Sequence, residues 1–204
     1  RLKGSIKYLP WVGKLLVLLG IYLIVEYIFA LMAVEIINAI FPGMDFLHFI
    51  TGFEKIKSVQ EVTLDQEHAI KIYQFATSLG RFIFAAWFFV YLCGDNFLAS
   101  VSLNKNIQSV SYGTVILIVM ASGAIISLIH DWNQHLHLPS SMAEMESQMR
   151  SLEQQAKIQT EVFLRTTTIG GFLLNILIIG LLAAVGEEIF FRGVLQNIFF
   201  RGIG

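Results

Sequence analysis

Residues 166–186 read Thr-Thr-Thr-Ile-Gly-Gly-Phe-Leu-Leu-Asn-Ile-Leu-Ile-Ile-Gly-Leu-Leu-Ala-Ala-Val-Gly, 21 positions without a charge. A helix rises about 1.5 Å per residue, so roughly 20 apolar residues cross a ~30 Å hydrocarbon core. The run is too long for a core strand and lacks strand punctuation. A second uncharged run extends from Tyr112 to Ile129. Two further apolar stretches carry isolated charges. The first follows Pro10, a residue suited to a helix start, and contains Glu26 and Glu35. The second has Arg81 near its middle and becomes uncharged and aromatic-rich from Phe82 to Gly94. Its entry pairs Thr63 with Gln66, a capping-box pattern. The reading is therefore an all-α, polytopic transmembrane helix bundle. Its four spans fall at about 12–37, 69–93, 112–130 and 167–190, within a single membrane domain over 1–204.

Composition agrees. Of 204 residues, 55% are apolar and only 14% are charged, against about 25% charged in soluble domains. A small chain has much surface to cover, so this shortfall argues against a soluble globule. It also excludes a disordered chain. A net charge of −1 without a basic stripe argues against nucleic-acid partners. Cys93 is the single cysteine, so no intrachain disulfide framework exists. The N-terminal apolar stretch is longer than that of a signal peptide and lacks an A-x-A-like site.

Topology follows from Lys and Arg density. Arg1, Lys3, Lys7 and Lys14 precede the first span, Lys105 lies between spans two and three, and Arg192 and Arg201 follow span four. The other side holds Lys55, Lys57, Lys71, Arg150, Lys157 and Arg165 over much longer segments. The expectation is a cytoplasmic N-terminus, with span four ending on that side as well. On the opposite side, residues 141–165 form an amphipathic helix outside the bilayer. Ser141 and Glu144 make a second capping-box pattern. Met142, Met145, Met149, Leu152, Ala156 and Phe163 form a heptad-like stripe interrupted by Gln159. That helix packs on the bundle or lies at the interface. A partner-binding coiled coil is the alternative for a ladder this short.

Ionisable groups at membrane depth are costly and point to function. Glu26 and Glu35 are nine residues apart and face opposite ways at 100° per residue. Glu35 suits the interface, and Glu26 suits a structural pair with Arg81. His130, His135 and His137 lack the i, i+4 spacing of a helical zinc pair and read as solvated. Gly170, Gly171, Gly180 and Gly186 line span four as small packing residues. The most informative group is Gly186-Glu187-Glu188-Ile189-Phe190-Phe191-Arg192-Gly193. On one helix, Glu188 and Arg192 stand at i and i+4 in the favourable order. Glu187, turned about 100° away, is left beside a like charge. Desolvation and that neighbour would both raise its pKa, as a general base acting on water requires. The bland reading is a set of boundary charges that snorkel to the interface. Apolar residues resume immediately at Val194 and Leu195, so the motif is embedded in apolar sequence.

The stretch Gly186–Leu195 resembles the first signature motif of the CPBP intramembrane proteases, with its Glu-Glu-x-x-x-Arg hallmark. That family includes the type II CaaX prenyl proteases and the bacterial Abi and bacteriocin-processing homologues. The resemblance implies an intramembrane endopeptidase in which Glu187 activates water, Glu188 is a second site carboxylate and Arg192 is its partner. It implies a membrane-associated peptide or protein substrate, a lipid setting and a bacterial inner membrane. Its metal is expected to be zinc or another divalent ion on one account, and a metal-free glutamate–histidine mechanism applies on the other. The family's F-x-x-x-H and H-x-x-x-N motifs do not occur here: none of the five histidines has Phe four positions before it or Asn or Asp four after it. The expected histidines lie beyond Gly204, and 1–204 is expected to be a piece of a longer protein that is inactive alone. A non-catalytic membrane scaffold or immunity protein is the second reading. A small proton-linked transporter using Glu26, Arg81 and Glu187 is the third.

Overall fold

In a computed structural model the chain is described over residues 2–100, 109–136, 138–166 and 168–203. Arg1, Lys105, His137 and Gly204, which entered the reading of the sequence, lie outside the described residues. The fold is all-α, 84% helical, with no strand among the described residues. Four helices are long and apolar enough to cross a membrane.

Helix α1 (Trp11–Ile40) starts after Pro10, which occupies the N-cap with an extended backbone. It stops before Pro42, which cannot continue a helix, and Gly43 takes a left-handed φ of 98° to turn the chain. Asp45 then caps α2 (Phe46–Thr51) by accepting from the His48 N–H at 3.0 Å. The Thr63–Gln66 capping box is present at the head of α3 (Leu64–Cys93), with reciprocal bonds of 2.9 and 3.3 Å. Helix α3 closes on Gly94 at φ 81°. The Gly94 N–H reaches back to Tyr91 O at 3.1 Å, and further donors come from outside the helix. The Gly4 N–H donates to Tyr91 O and the Ile6 N–H to Leu92 O, so the N-terminal segment caps this helix from outside.

The chain clusters into two units, residues 1–103 with 155–204, and residues 104–154. The second contains α4 (Ser109–Gln134) and the first part of α5 (Ala143–Leu164). There the Arg150 guanidinium binds Glu146 at 2.8 Å and the Leu136 carbonyl at 3.2 Å, and Gln134 donates to Glu153. The Ser141 cap is corrected: Ser141 lies inside a 3₁₀ turn, Ser140–Met142, ahead of the helix. A longer polar link takes the cap's place, from the Leu138 N–H to Glu146 Oε2 at 2.9 Å.

The first unit holds two cores. One joins the first half of α1, the second half of α3 and the second half of α6 (Ile169–Gly202) through residues such as Leu18, Phe89, Phe190 and Val194. The other joins the far end of α1 to α2, the head of α3 and the end of α5 through Ile37, Phe46, Ala69, Ile158 and Val162. The expected stripe on α5 therefore shifts. Ile158 and Val162 are buried, Phe163 is partly buried, and Ala156 is exposed. The reason is Arg165. Residues 158, 162 and 165 share one face at i, i+4 and i+7, and Arg165 is drawn inward by Glu67.

That carboxylate organises this end of the unit. Glu67 and Lys71 are each 3% exposed although charged. Lys71 Nζ binds Glu67 Oε1 at 2.8 Å and donates to the Arg165 carbonyl at 3.1 Å. Arg165 Nε binds Glu67 Oε2 at 2.9 Å, while its two terminal nitrogens donate to Val59 O and Val62 O. Lys71 and Arg165, counted among loop cations in the topology argument, are thus both held by one carboxylate. Removing one member of a buried ionic group leaves the others uncompensated, at about 3–5 kcal/mol. Glu67→Ala should therefore lower unfolding free energy by about that amount. Reversible denaturant unfolding in detergent checks it, and a loss near zero would contradict the role given to the network.

Candidate active site

Helix α6 begins on Thr168, whose hydroxyl accepts from the Gly171 N–H at 3.0 Å. It is not uniformly α. Wide π-helical turns occupy Ile176–Leu182 and Glu188–Leu195. The regular stretch between them ends on Glu187, so the two glutamates straddle the junction of two helix geometries. Such π turns occur often at functional sites. The freed backbone is partly re-satisfied from the side: Asn197 Nδ2 donates to Gly193 O at 2.6 Å and to Ser100 O at 3.0 Å.

One face of this helix is buried and the other is open. Gly186, Ile189, Phe190, Gly193 and Val194 face the core. Ala184, Glu187, Glu188, Phe191, Arg192 and Gln196 line an open recess of about 550 Å³. Within it Arg192 and Glu188 form an ion pair at 3.0 Å. Glu187 is exposed and has no hydrogen-bond or ion-pair partner among the described residues. The division of labour expected from spacing is present: one carboxylate is held and its neighbour is not. The expected burial is absent. The side chains of Glu188 and Arg192 are 57% and 75% exposed, so the described residues do not themselves desolvate the pair.

The acid pair lies part-way along the helices rather than at their ends. A Cβ at Gly202 would run into Trp11, which fixes the end of α6 against the start of α1. Glu187 stands 15 residues before Gly202 and Glu26 stands 15 after Trp11. Both are therefore about 22 Å from that end. In the same layer, Arg81 NH2 binds Glu26 Oε1 at 2.6 Å. The structural pair foreseen between these helices is present. Arg81 sits in a π turn of α3, Leu79–Phe84, whose Gly80 leaves room for the Phe29 ring of α1. Its guanidinium lies 5.7 Å from the centre of the Phe82 ring, and its Nε is buried without a partner. Phe82 also packs on Phe190 at 6.0 Å, and Phe190 on Tyr22 at 5.4 Å. An aromatic floor therefore lies between the Glu26–Arg81 pair and the helix that carries Glu187.

Residues 169–204 match a family model described as "Rce1-like: Type II CAAX prenyl endopeptidase Rce1-like". The match covers a minor part of the chain, and it includes the whole Glu187-Glu188-x-x-x-Arg192 motif and the helix that bears it. It supports a relation of this segment to the CAAX-type intramembrane proteases. With four helices able to span a bilayer, it supports an integral membrane protein. No curated protein and no solved structure matches the chain.

The described residues do not by themselves supply a ligand set for the metal that the resemblance implies. Among the described residues no three His, Cys, Asp or Glu side chains come together, and one of the two carboxylates here is already held by Arg192. His130 and His135 are exposed in the other unit, with His135 Nδ1 against its own helix at Asp131 O, 2.6 Å away. Glu35 is exposed. The glycine stripe is largely corrected: a Cβ at Gly170 or Gly180 would meet open space, and one at Gly171 would meet the chain's own Thr166. Gly186 alone among these four contacts another helix, where a Cβ would stand 3.0 Å from Phe82 Cβ. Phe82, Phe190 and Tyr22 were not foreseen as neighbours of the site. Their i-spacing carries no signal that distinguishes them from other aromatic core residues.

Two outcomes follow from this packing. Gly186→Leu should destabilise by about 1–3 kcal/mol through overpacking. Phe82→Ala should recover part of that loss, which a double-mutant cycle on thermal unfolding measures. At the neighbouring crossing, Gly80→Ala should be destabilising and Phe29→Ala should relieve it; an additive result would show that the two do not touch.

Proposed function

We propose that the protein is an intramembrane endopeptidase in which Glu187 is the general base. The observation that carries this reading is the asymmetry of the acid pair: Glu188 is held by Arg192 at 3.0 Å, while Glu187 beside it is unpartnered. The arginine holds Glu188 in a fixed orientation through that ion pair. Glu187 is left to accept a proton from water as its oxygen attacks the carbonyl of a peptide bond, and Glu187 then returns that proton to the amine that leaves as the C–N bond breaks. Carboxylates at membrane depth face a bundle interior or a watered cavity. The open recess is thus the face onto which the remaining groups assemble, including an oxyanion donor. The histidines implied by the family motifs have no counterpart at the required spacing within 1–204. The family match supports a CAAX-type peptide as substrate class. With the N-terminus facing the cytoplasm, the substrate is reached from that side. The pairing of Glu26 with Arg81 occupies two of the three groups that a transport path would need.

The test is cleavage of membrane-anchored CAAX peptides, with and without a prenyl group, by the full-length protein. Glu187→Gln should lower turnover by about 10²–10⁴-fold, the range of general-base catalysis, with unfolding unchanged. Arg192→Ala should also reduce turnover, with partial recovery in Arg192→Lys. Full activity in both Glu187→Gln and Glu187→Ala would sink the assignment.

A further inference from the structure

A second cavity, on the inward side of α6 rather than on the recess of the acid pair, lies where three helix ends meet. It has a volume of about 330 Å³, the size of a small ligand site. The start of α1, the end of α3 and the end of α6 line it. Its inner wall is apolar, built from Phe89, Val90, Val194 and Ile198. Lys14, Arg201 and Asp95 stand among its remaining lining residues. Asp95 is taken by Arg201 at 3.2 Å. Lys14 is half-buried and has no ion-pair partner among the described residues. Two cations thus meet one carboxylate around a greasy interior.

The setting selects the occupant. Helix ends of a membrane bundle lie near the lipid headgroups, and Trp11, an amphipathic ring of the kind enriched at that level, lines the cavity. No Asp or Glu precedes Glu26, whereas Lys3 and Lys7 join Lys14 at this end. A free phosphate has no use for the apolar wall, and a zwitterionic lipid gains little from an excess cation. Basic pockets between transmembrane helices take anionic headgroups. We propose that this cavity binds an acidic phospholipid, its phosphate on Lys14 and the beginning of its acyl chain against Phe89 and Val194. The site does not depend on the peptidase reading.

The test uses the full chain with every tryptophan except Trp11 replaced by Phe, Trp87 and Trp132 included, so that Trp11 alone fluoresces. Nanodiscs of phosphatidylcholine receive increasing fractions of brominated phosphatidylglycerol or brominated phosphatidylcholine. Quenching of Trp11 should saturate at lower mole fraction for phosphatidylglycerol. Lys14→Met, which keeps the aliphatic stem, should erase about fivefold of that preference, the worth of one cation near an anionic surface. Lys14→Arg should restore it, and Lys7→Ala on the exposed N-terminal turn should leave most of it. Equal quenching by the two lipids would overturn the proposal. So would an equal loss in Lys7→Ala, because the preference would then belong to diffuse surface charge. The readout is fluorescence, so a failed cleavage assay leaves this result standing.

Discussion

The Glu67 carboxylate spends both oxygens on cations from different parts of the chain. Lys71 comes from the same helix one turn on, and Arg165 from the end of α5. An unpaired charge buried this deeply would cost several kcal/mol. The arrangement avoids that cost by completeness: the ammonium and guanidinium hydrogens left over reach the carbonyls of Arg165, Val59 and Val62. Because each donor has a directional partner, the helix end cannot rotate without breaking several bonds together. That fixed rotation turns Ile158 and Val162 toward Ile37 and Phe46. One acid thereby sets the entry to α3, the path of the 59–62 turn and the seat of the helix leading into α6.

The other end of the unit is held by different means. Lipid is as apolar as leucine, so helices crossing it gain little from burial and associate through close packing. Glycine supplies the closeness at two crossings. Gly80 lets α1 approach α3 through Phe29, and Gly186 lets α6 approach α3 through Phe82. The aromatic rings between them, Tyr22, Phe82 and Phe190, interlock the three helices. The Glu26–Arg81 pair lies in the same layer, which gives a polar tie to helices that otherwise share only van der Waals contact.

The acid pair inherits its position from that packing. Gly186 fixes which side of α6 turns inward, and the adjacent glutamates are therefore carried outward, onto the open recess. The π turn that starts at Glu188 alters the rotation between one carboxylate and the next while retaining the ion pair to Arg192. A helix face that combines a held acid, an unheld acid and surrounding apolar rings suits proton transfer once further groups close over it. The similarity of residues 169–204 to the CAAX-type endopeptidases covers this helix and none of its neighbours.

Much of this was legible in order along the chain. Long uncharged runs had to be helices, because a backbone in hydrocarbon must satisfy its own hydrogen bonds. Local chemistry was equally readable: the Thr63–Gln66 box, the Glu188–Arg192 spacing, and the match in depth of Glu26 and Arg81 all follow from helix geometry. What failed was anything that depends on which face turns inward. The α5 stripe shifted because Arg165 answers a carboxylate 98 residues away. Lys71 and Arg165, loop charges by position, are network members by contact. The glycines of α6 looked equivalent, yet Gly186 alone among the four has another helix against it. The sequence by itself determined the helices, their membrane character and the acid pair, since each is encoded within a few turns of one helix. Only the tertiary structure decided the exposure of that pair, its aromatic floor and the buried ionic anchor, because rotation about a helix axis is fixed by partners distant in sequence.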